Sequence, residues 1–215
     1  MIDGIVTHAA KNLSRTSPIE SIAEHPEFRR IDLISDVSLE LRYATTNNFV
    51  GRDMYAGYDC GWLHRDAYEA LKNVAARLQA VRPDLRLLVL DALRPQRVQE
   101  LMWDSLEGTD LRQYLASPDR GSIHSFGMAV DVTLIDVQGR ELDMGTAFDD
   151  LTERSHPALE STLLQRGDIT ATHIANRQLL RGVMTANGWQ GISTEWWHFD
   201  CGDRRLVRQN YTRIL

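Results

Sequence analysis

Two short stretches of this chain carry residues that together could hold a metal ion. Ser122-Ile-His-Ser-Phe-Gly-Met-Ala-Val-Asp131 supplies His124 and Asp131, seven residues apart. Glu195-Trp-Trp-His198 supplies His198, with a glutamate three residues before it. Two neutral imidazoles and one carboxylate form a three-ligand zinc set that leaves a fourth position for water. A glutamate that is not consumed as a ligand is what a zinc hydrolase uses to deprotonate that water. His124, Asp131 and His198 are thus candidate ligands for one Zn2+ per chain, and Glu195 is the candidate general base.

Each half also has a plainer reading. A histidine and an aspartate at this spacing occur in structural roles, but Asp131 sits among Ala129, Val130 and Val132, where an unpaired carboxylate is costly to bury. Coordination to a cation would explain it. Gly127 and Ala129 between the two residues permit close backbone packing. In the second stretch, residues three apart on a regular strand point to opposite faces. Glu195 and His198 can share a site only if the chain turns between them or the glutamate stands at the strand entrance. The histidines at positions 8, 25, 64, 156 and 173 lack comparable context and read as structural or exposed. A third candidate is Arg94 in Asp91-Ala-Leu-Arg-Pro95. The proline biases it to extended backbone, at the junction of a buried strand and a helix. There it could meet a developing oxyanion, lie on the surface, or pair with Asp91.

Elements that could position these residues are legible in the patterning. Phe28–Ile34 and Val37–Ala44 read as strands, the latter from the alternation in Leu39-Glu-Leu-Arg-Tyr43. Thr45–Gly51 contains turn formers and opens a long loop. Asp66 opens a helix, with Glu69 at capping-box spacing and Leu71, Val74, Ala75 and Leu78 on one face. Leu85–Asp91 is apolar enough for a central strand. Pro95 suits the first position of a helix continuing through Val98, Leu101 and Met102. Gly127–Ile135 is a strand, Thr170–Asn187 a helix with Leu180, Val183 and Met184 inward, and Trp189–Asp200 is strand-like. The spans 107–121 and 140–168 are irregular, and long connections of this kind are usually functional or disordered. Residues 1–28 read as a surface-wrapping N-terminal arm, with Ser17 capping a short turn at Pro18, and residues 29–215 as one domain. The pattern predicts a single α+β domain with long loops.

Composition narrows the classes further. With 215 residues, 43% hydrophobic and 25% charged, the chain has the makeup of a globular protein. A net charge of −6 argues against a nucleic-acid partner. No apolar run approaches the roughly 18–20 residues of a membrane span, and the N-terminus does not read as a signal peptide. The expectation is a cytoplasmic protein without a membrane partner. Cys60 and Cys201 form no framework; reduced thiols are expected, with a bridge between them left open.

Ser-x-His-x-x-Gly-x-Ala-x-Asp followed some sixty residues later by Glu-x-Trp-His resembles the zinc D-alanyl-D-alanine dipeptidases, the VanX-like branch of the M15 peptidases. Leu41-Arg-Tyr-Ala-Thr45, Asn48-Phe-x-Gly51, Asp91-Ala-x-Arg-Pro95, Met144-Gly-Thr-x-Phe-Asp149 and Glu153-Arg-Ser-His156 look like further blocks of that family in the right order, covering about residues 30–200. The resemblance implies a Hedgehog/DD-peptidase-like fold, with a small, mainly antiparallel sheet flanked by helices and long active-site loops. It implies that His124, Asp131 and His198 bind zinc, that Glu195 is general base and acid, and that Arg94 steadies the tetrahedral intermediate. Tyr43, Ser122 and Asp149 match positions lining a small dipeptide pocket. The implied reaction is hydrolysis of D-Ala-D-Ala to two D-alanines. Leu93 and Phe126 depart from the family's usual tyrosine and frequent arginine, which bears on the pocket's selectivity. The rivals are a D,D- or L,D-carboxypeptidase acting on longer peptidoglycan stems and a zinc-bearing binding module without chemistry. Retention of both Glu195 and Arg94 counts against the second.

Overall fold

A computed structural model describes residues 15–215, in chain order β1 (Thr16–Ser17), β2 (Phe28–Arg30), β3 (Val37–Leu39), β4 (Trp62–His64), α1 (Arg65–Val81), β5 (Leu85–Asp91), α2 (Gln96–Ser105), β6 (Ala129–Asp136), α3 (Glu160–Arg166), α4 (Ala171–Thr185), β7 (Trp189–Gly191), β8 (His198–Cys201), α5 (Arg204–Asn210) and β9 (Arg213–Ile214). Five strands form the main sheet in the order β3-β5-β6-β8-β7. Within this sheet only β3–β5 is parallel and its other pairs are antiparallel; β1 pairs with β9 in parallel and β2 with β4 antiparallel, outside it. The α+β class is what the patterning predicts, and the small, mainly antiparallel sheet is what the resemblance implies.

Strand periodicity sorts the sheet into two faces. Leu87 and Val89 of β5, Val130, Val132 and Leu134 of β6, and Phe199 and Cys201 of β8 belong to the main core. The buried face of α1, Ala67, Leu71, Val74, Ala75 and Leu78, packs there as its spacing predicts, together with Leu180, Val183 and Met184 of α4. Truncating a leucine so placed to alanine costs about 2–5 kcal/mol. The intervening β6 and β8 residues, Asp131, His198 and Asp200, face the opposite side. Core and site thus share the same strands.

Several boundaries differ from the sequence reading. The strand expected over Val37–Ala44 stops at Leu39, and Arg42–Ala44 is a 3-10 turn that buries Tyr43. Phe28–Ile34 likewise divides into β2 and a 3-10 turn. His64, not Asp66, caps α1: its Nδ1 accepts the Asp66 N–H at 3.2 Å. Thr170 caps α4 in a reciprocal box with His173. The helices α3 and α5 lie in spans whose weak patterning had not suggested them. At the N-terminus, Ser17 is displaced by Pro18 as the residue preceding the 3-10 helix Ile19–Glu24. Residues 15–28 do more than wrap the surface, for Ile19, Ile22 and Phe28 are buried in a second cluster with Tyr43, Tyr55 and Leu93. Residues 1–14 lie outside the described part. Cys60 and Cys201 are both buried and free. Among the described residues, no helix is long and apolar enough to cross a membrane.

Candidate active site

The site begins at a turn. Ile123–Phe126 is one 3-10 turn, closed by Gly127 at φ 62°, whose N–H donates to the His124 carbonyl at 2.9 Å. A Cβ on Gly127 would stand 2.6 Å from Phe28 Cε1 and 2.7 Å from the His64 backbone nitrogen. Only glycine fits that conformation and that space. The turn sets His124 beside the first residues of β6, and the β6–β8 register places Asp131 directly opposite His198.

Three donor atoms converge there. His198 Nδ1 lies 3.0 Å from Asp131 Oδ1, His124 Nε2 lies 3.2 Å from His198 Nδ1, and His124 Nε2 lies 3.4 Å from Asp131 Oδ1. Ligand atoms about 2.0–2.1 Å from a tetrahedral zinc stand about 3.3 Å from one another. The outer ring nitrogens are committed: His124 Nδ1 donates to the Ala92 carbonyl at 2.7 Å and His198 Nε2 to Asp200 Oδ1 at 3.0 Å. In the neutral imidazoles both inner nitrogens would turn lone pairs toward the point between the three donors, the orientation that metal ligation needs. Burial alone would raise the Asp131 pKa, but the two imidazoles hold it well below the usual range. Burial opposes a charge on His198, yet Asp200 and Asp131 outweigh it and raise its pKa. The donor set fits zinc in number, type, spacing and orientation.

Glu195 is not on a strand. The stretch read as continuous from Trp189 to Asp200 breaks into β7 and β8, and Ile192–Trp197 forms a loop between them. Its two tryptophans are buried anchors: Trp196 Nε1 donates to Thr146 Oγ1 at 2.8 Å, and the Trp197 carbonyl accepts from Val132 N–H at 3.0 Å. The strand-face objection to Glu195 and His198 sharing a site therefore falls away. Glu195 is half-buried and lines the same cleft as the three donors. Burial pushes its carboxyl up to about 7, against the pull of the His198 charge.

Arg94 is buried, which removes the surface reading but keeps the pairing with Asp91. Its Nε and Nη2 donate to Asp91 Oδ2 at 2.9 and 2.6 Å, its Nη1 to Gln99 Oε1 at 3.1 Å, and its Nη2 to Asp131 Oδ2 at 3.4 Å. The guanidinium also lies 5.0 Å from the Tyr43 ring centroid. The Tyr43 hydroxyl donates to Asp149 Oδ1 at 2.8 Å, and Phe49 N–H donates to Asp149 Oδ2 at 3.3 Å. Asp149 itself adopts φ 62°, uncommon for a residue with a side chain. Burial pushes its carboxyl up to about 8 even though Tyr43 hydrogen-bonds to it. Ser122, buried, precedes the His124 turn.

All eight residues singled out from sequence, Tyr43, Arg94, Ser122, His124, Asp131, Asp149, Glu195 and His198, line one cleft of about 250 Å3. Sequence reasoning missed Asp200 as the residue orienting His198. The signal was present, since residues two apart on a strand share a face. It also missed Gln99, Tyr114 and the arginines at 120, 204 and 208, which come from α2, α5 and irregular segments. Of the two departures from the family pattern, Leu93 is fully buried in the second cluster, and Phe126 is buried under the Arg213 guanidinium, 5.3 Å away.

Comparison with known proteins gives the family. The family profile described as Peptidase_M15, D-ala-D-ala dipeptidase, matches residues 27–214, and the chain belongs to that family. It is 38% identical over 168 residues to a D-alanyl-D-alanine dipeptidase of Escherichia coli strain K12, covering 78% of this chain and 80% of that one. It is 32% identical to one of Streptomyces coelicolor, covering 78% and 87%, and 29% identical to one of Enterococcus faecium over the same shares. Among solved structures, an LD-carboxypeptidase matches with a TM-score of 0.40 at 16% identity, covering 86% of this chain and 72% of that one.

Proposed function

We propose that this peptidase hydrolyses D-Ala-D-Ala to two D-alanines, with His124, Asp131 and His198 holding one zinc ion. The observation that carries the reading is the convergence of three donor atoms within 3.0–3.4 Å, beside a carboxylate raised to about 7. Bound there, zinc supplies a water of lowered pKa and polarises the substrate carbonyl. Glu195 takes the proton of the attacking water; a base whose pKa lies near neutrality serves this step best. It then returns that proton to the leaving amine. Arg94 faces the oxygen on which negative charge develops. Asp91 and Gln99 lock its guanidinium, so that no reorganisation is needed during reaction. Asp149, oriented by the Tyr43 hydroxyl, receives the substrate ammonium. Its ionised form is the one that binds, and an arriving cation lowers its pKa.

The family match over residues 27–214 and the dipeptidase relatives favour this reading over a carboxypeptidase. Two buried free thiols fit a cytoplasmic setting. The test is release of D-alanine from D-Ala-D-Ala by protein loaded with one zinc, compared with L-Ala-L-Ala and a D-Ala-D-Ala-ending pentapeptide, with and without chelator. Chelator-sensitive cleavage of the dipeptide alone is expected. Preference for the pentapeptide would make the protein a carboxypeptidase.

A further inference from the structure

The cleft is electrically lopsided, and only one of its poles has a role so far. At one end stand Asp149 and Tyr43. From there contacts run through the Tyr43 ring to Arg94, to Asp131 and His198, then to Asp200 and Arg204. The other end of this run of contacts is basic: Arg204 closes it, and Arg120 and Arg208 line the same cleft. They crowd one another, for the Arg208 pKa is lowered first by burial and then by the charges of Arg120 and Arg204.

Their nitrogens are not equally committed. Arg208 spends Nε and Nη2 on the Gly121 carbonyl, at 3.2 and 3.1 Å, and Nη1 on the Arg204 carbonyl at 3.3 Å. It braces the backbone next to Ser122. Arg204 uses only Nε, on Asp200 Oδ2. Arg120 is exposed, and its guanidinium has no hydrogen-bond or ion-pair partner among the described residues. Asp200, among the described residues the only carboxylate bonded to the cluster, is already shared between His198 and Arg204. Guanidinium forks with free N–H groups, at the mouth of a cleft and in excess over carboxylates, match a carboxylate ligand in both geometry and charge.

Resting on the dipeptidase reading, we propose that Arg120 and the terminal nitrogens of Arg204 bind the α-carboxylate of the substrate's C-terminal residue. A dipeptide carries its ammonium on one side of the scissile carbonyl and its carboxylate on the other. The contact chain from Asp149 to Arg204 has the same order, with the metal donors between the poles. Specificity for a free dipeptide then comes from reading both termini at once. A substrate blocked at the carboxyl end leaves the arginines without their partner.

Arg120→Gln is the informative variant, because Arg204 also touches Asp200 behind His198. Steady-state rates on D-Ala-D-Ala and on its C-terminal amide are compared for wild type, Arg120→Gln and Arg120→Lys, after confirming equal zinc content and an unchanged melting temperature. On the free dipeptide, Arg120→Gln should lower kcat/KM about 10- to 100-fold, mainly through KM, as expected for loss of a charge-assisted hydrogen bond. Arg120→Lys should recover part of the loss. On the amide, wild type and Arg120→Gln should agree within about twofold, since the group that the arginine reads is absent. Equal losses on both substrates, or no loss on the free dipeptide, overturn the assignment while leaving the dipeptidase reading intact. If the wild type cleaves neither substrate, the dipeptidase reading falls and takes this one with it.

Discussion

Replacing Glu195 by glutamine should weaken the enzyme and strengthen the metal-free fold. Burial raises this carboxyl from 4.5 to about 7 in the folded chain, so the native state binds its proton more tightly than the unfolded state does. The sign follows from linkage: the group's contribution is fully favourable below about pH 4.5 and is lost as pH rises to about 7. Above that, the native state carries a half-buried charge that the unfolded chain would rather solvate. The gap is worth at most about 3 kcal/mol, and water in the cleft screens part of it, leaving about 1–2 kcal/mol. Glu195→Gln removes the charge while keeping the shape. In chelator at pH 8 it should melt about 2–8 °C above wild type, at 2–4 °C per kcal/mol for a chain of this size, with the difference gone by pH 4.5. Zinc should shrink the gap, because a nearby cation draws the carboxyl pKa down. The same variant should bind zinc yet release D-alanine at least about 100-fold more slowly. Paired thermal melts at the two pH values, a zinc titration and the D-alanine assay check these outcomes together. Equal melting temperatures at both pH values would refute the electrostatic argument, and loss of zinc would make Glu195 a ligand rather than a base.

Three other perturbations separate the parts of the site. Asp200→Ala leaves the His198 imidazole without the acceptor that orients it; zinc affinity, read by chelator competition, should fall about 10- to 100-fold. Arg94→Lys keeps a positive charge but loses the two-nitrogen grip on Asp91 and the contact with Tyr43, and kcat should drop about 100- to 1,000-fold with zinc retained. Gly127→Ala forces a Cβ into Phe28 and the His64 backbone at positive φ; we expect a loss of more than about 2 kcal/mol in denaturant unfolding, with weaker zinc binding as the His124 turn shifts.

Phe199 and Cys201 reach the core while His198 and Asp200 face the cleft, so the role of Asp200 was legible in strand alternation once His198 was singled out. Alternation failed at Leu39–Tyr43, where the strand ends and a 3-10 turn buries Tyr43. Contacts with Phe49, Phe148 and Asp149 from distant loops hold that ring, and local propensity carries no record of them. The helices α3 and α5 were missed for a related reason, since each is seven residues long. Helices that short are marginal on their own and depend on tertiary packing.

The amino-acid sequence alone gave the candidate donor set, the candidate base, the central strands and the two main helices, because ligand chemistry and hydrophobic periodicity are local properties. Whether Glu195 and His198 could act together was decided only by the tertiary structure. The strand is interrupted between β7 and β8, and Glu195 stands in that loop, anchored by buried Trp196 and Trp197, and lines the cleft. The tertiary structure also brought the arginines at 120, 204 and 208 to the lining of that cleft. Arg204 and Arg208 are placed by how α5 packs against the turn that carries His124, a long-range contact that no spacing along the chain encodes.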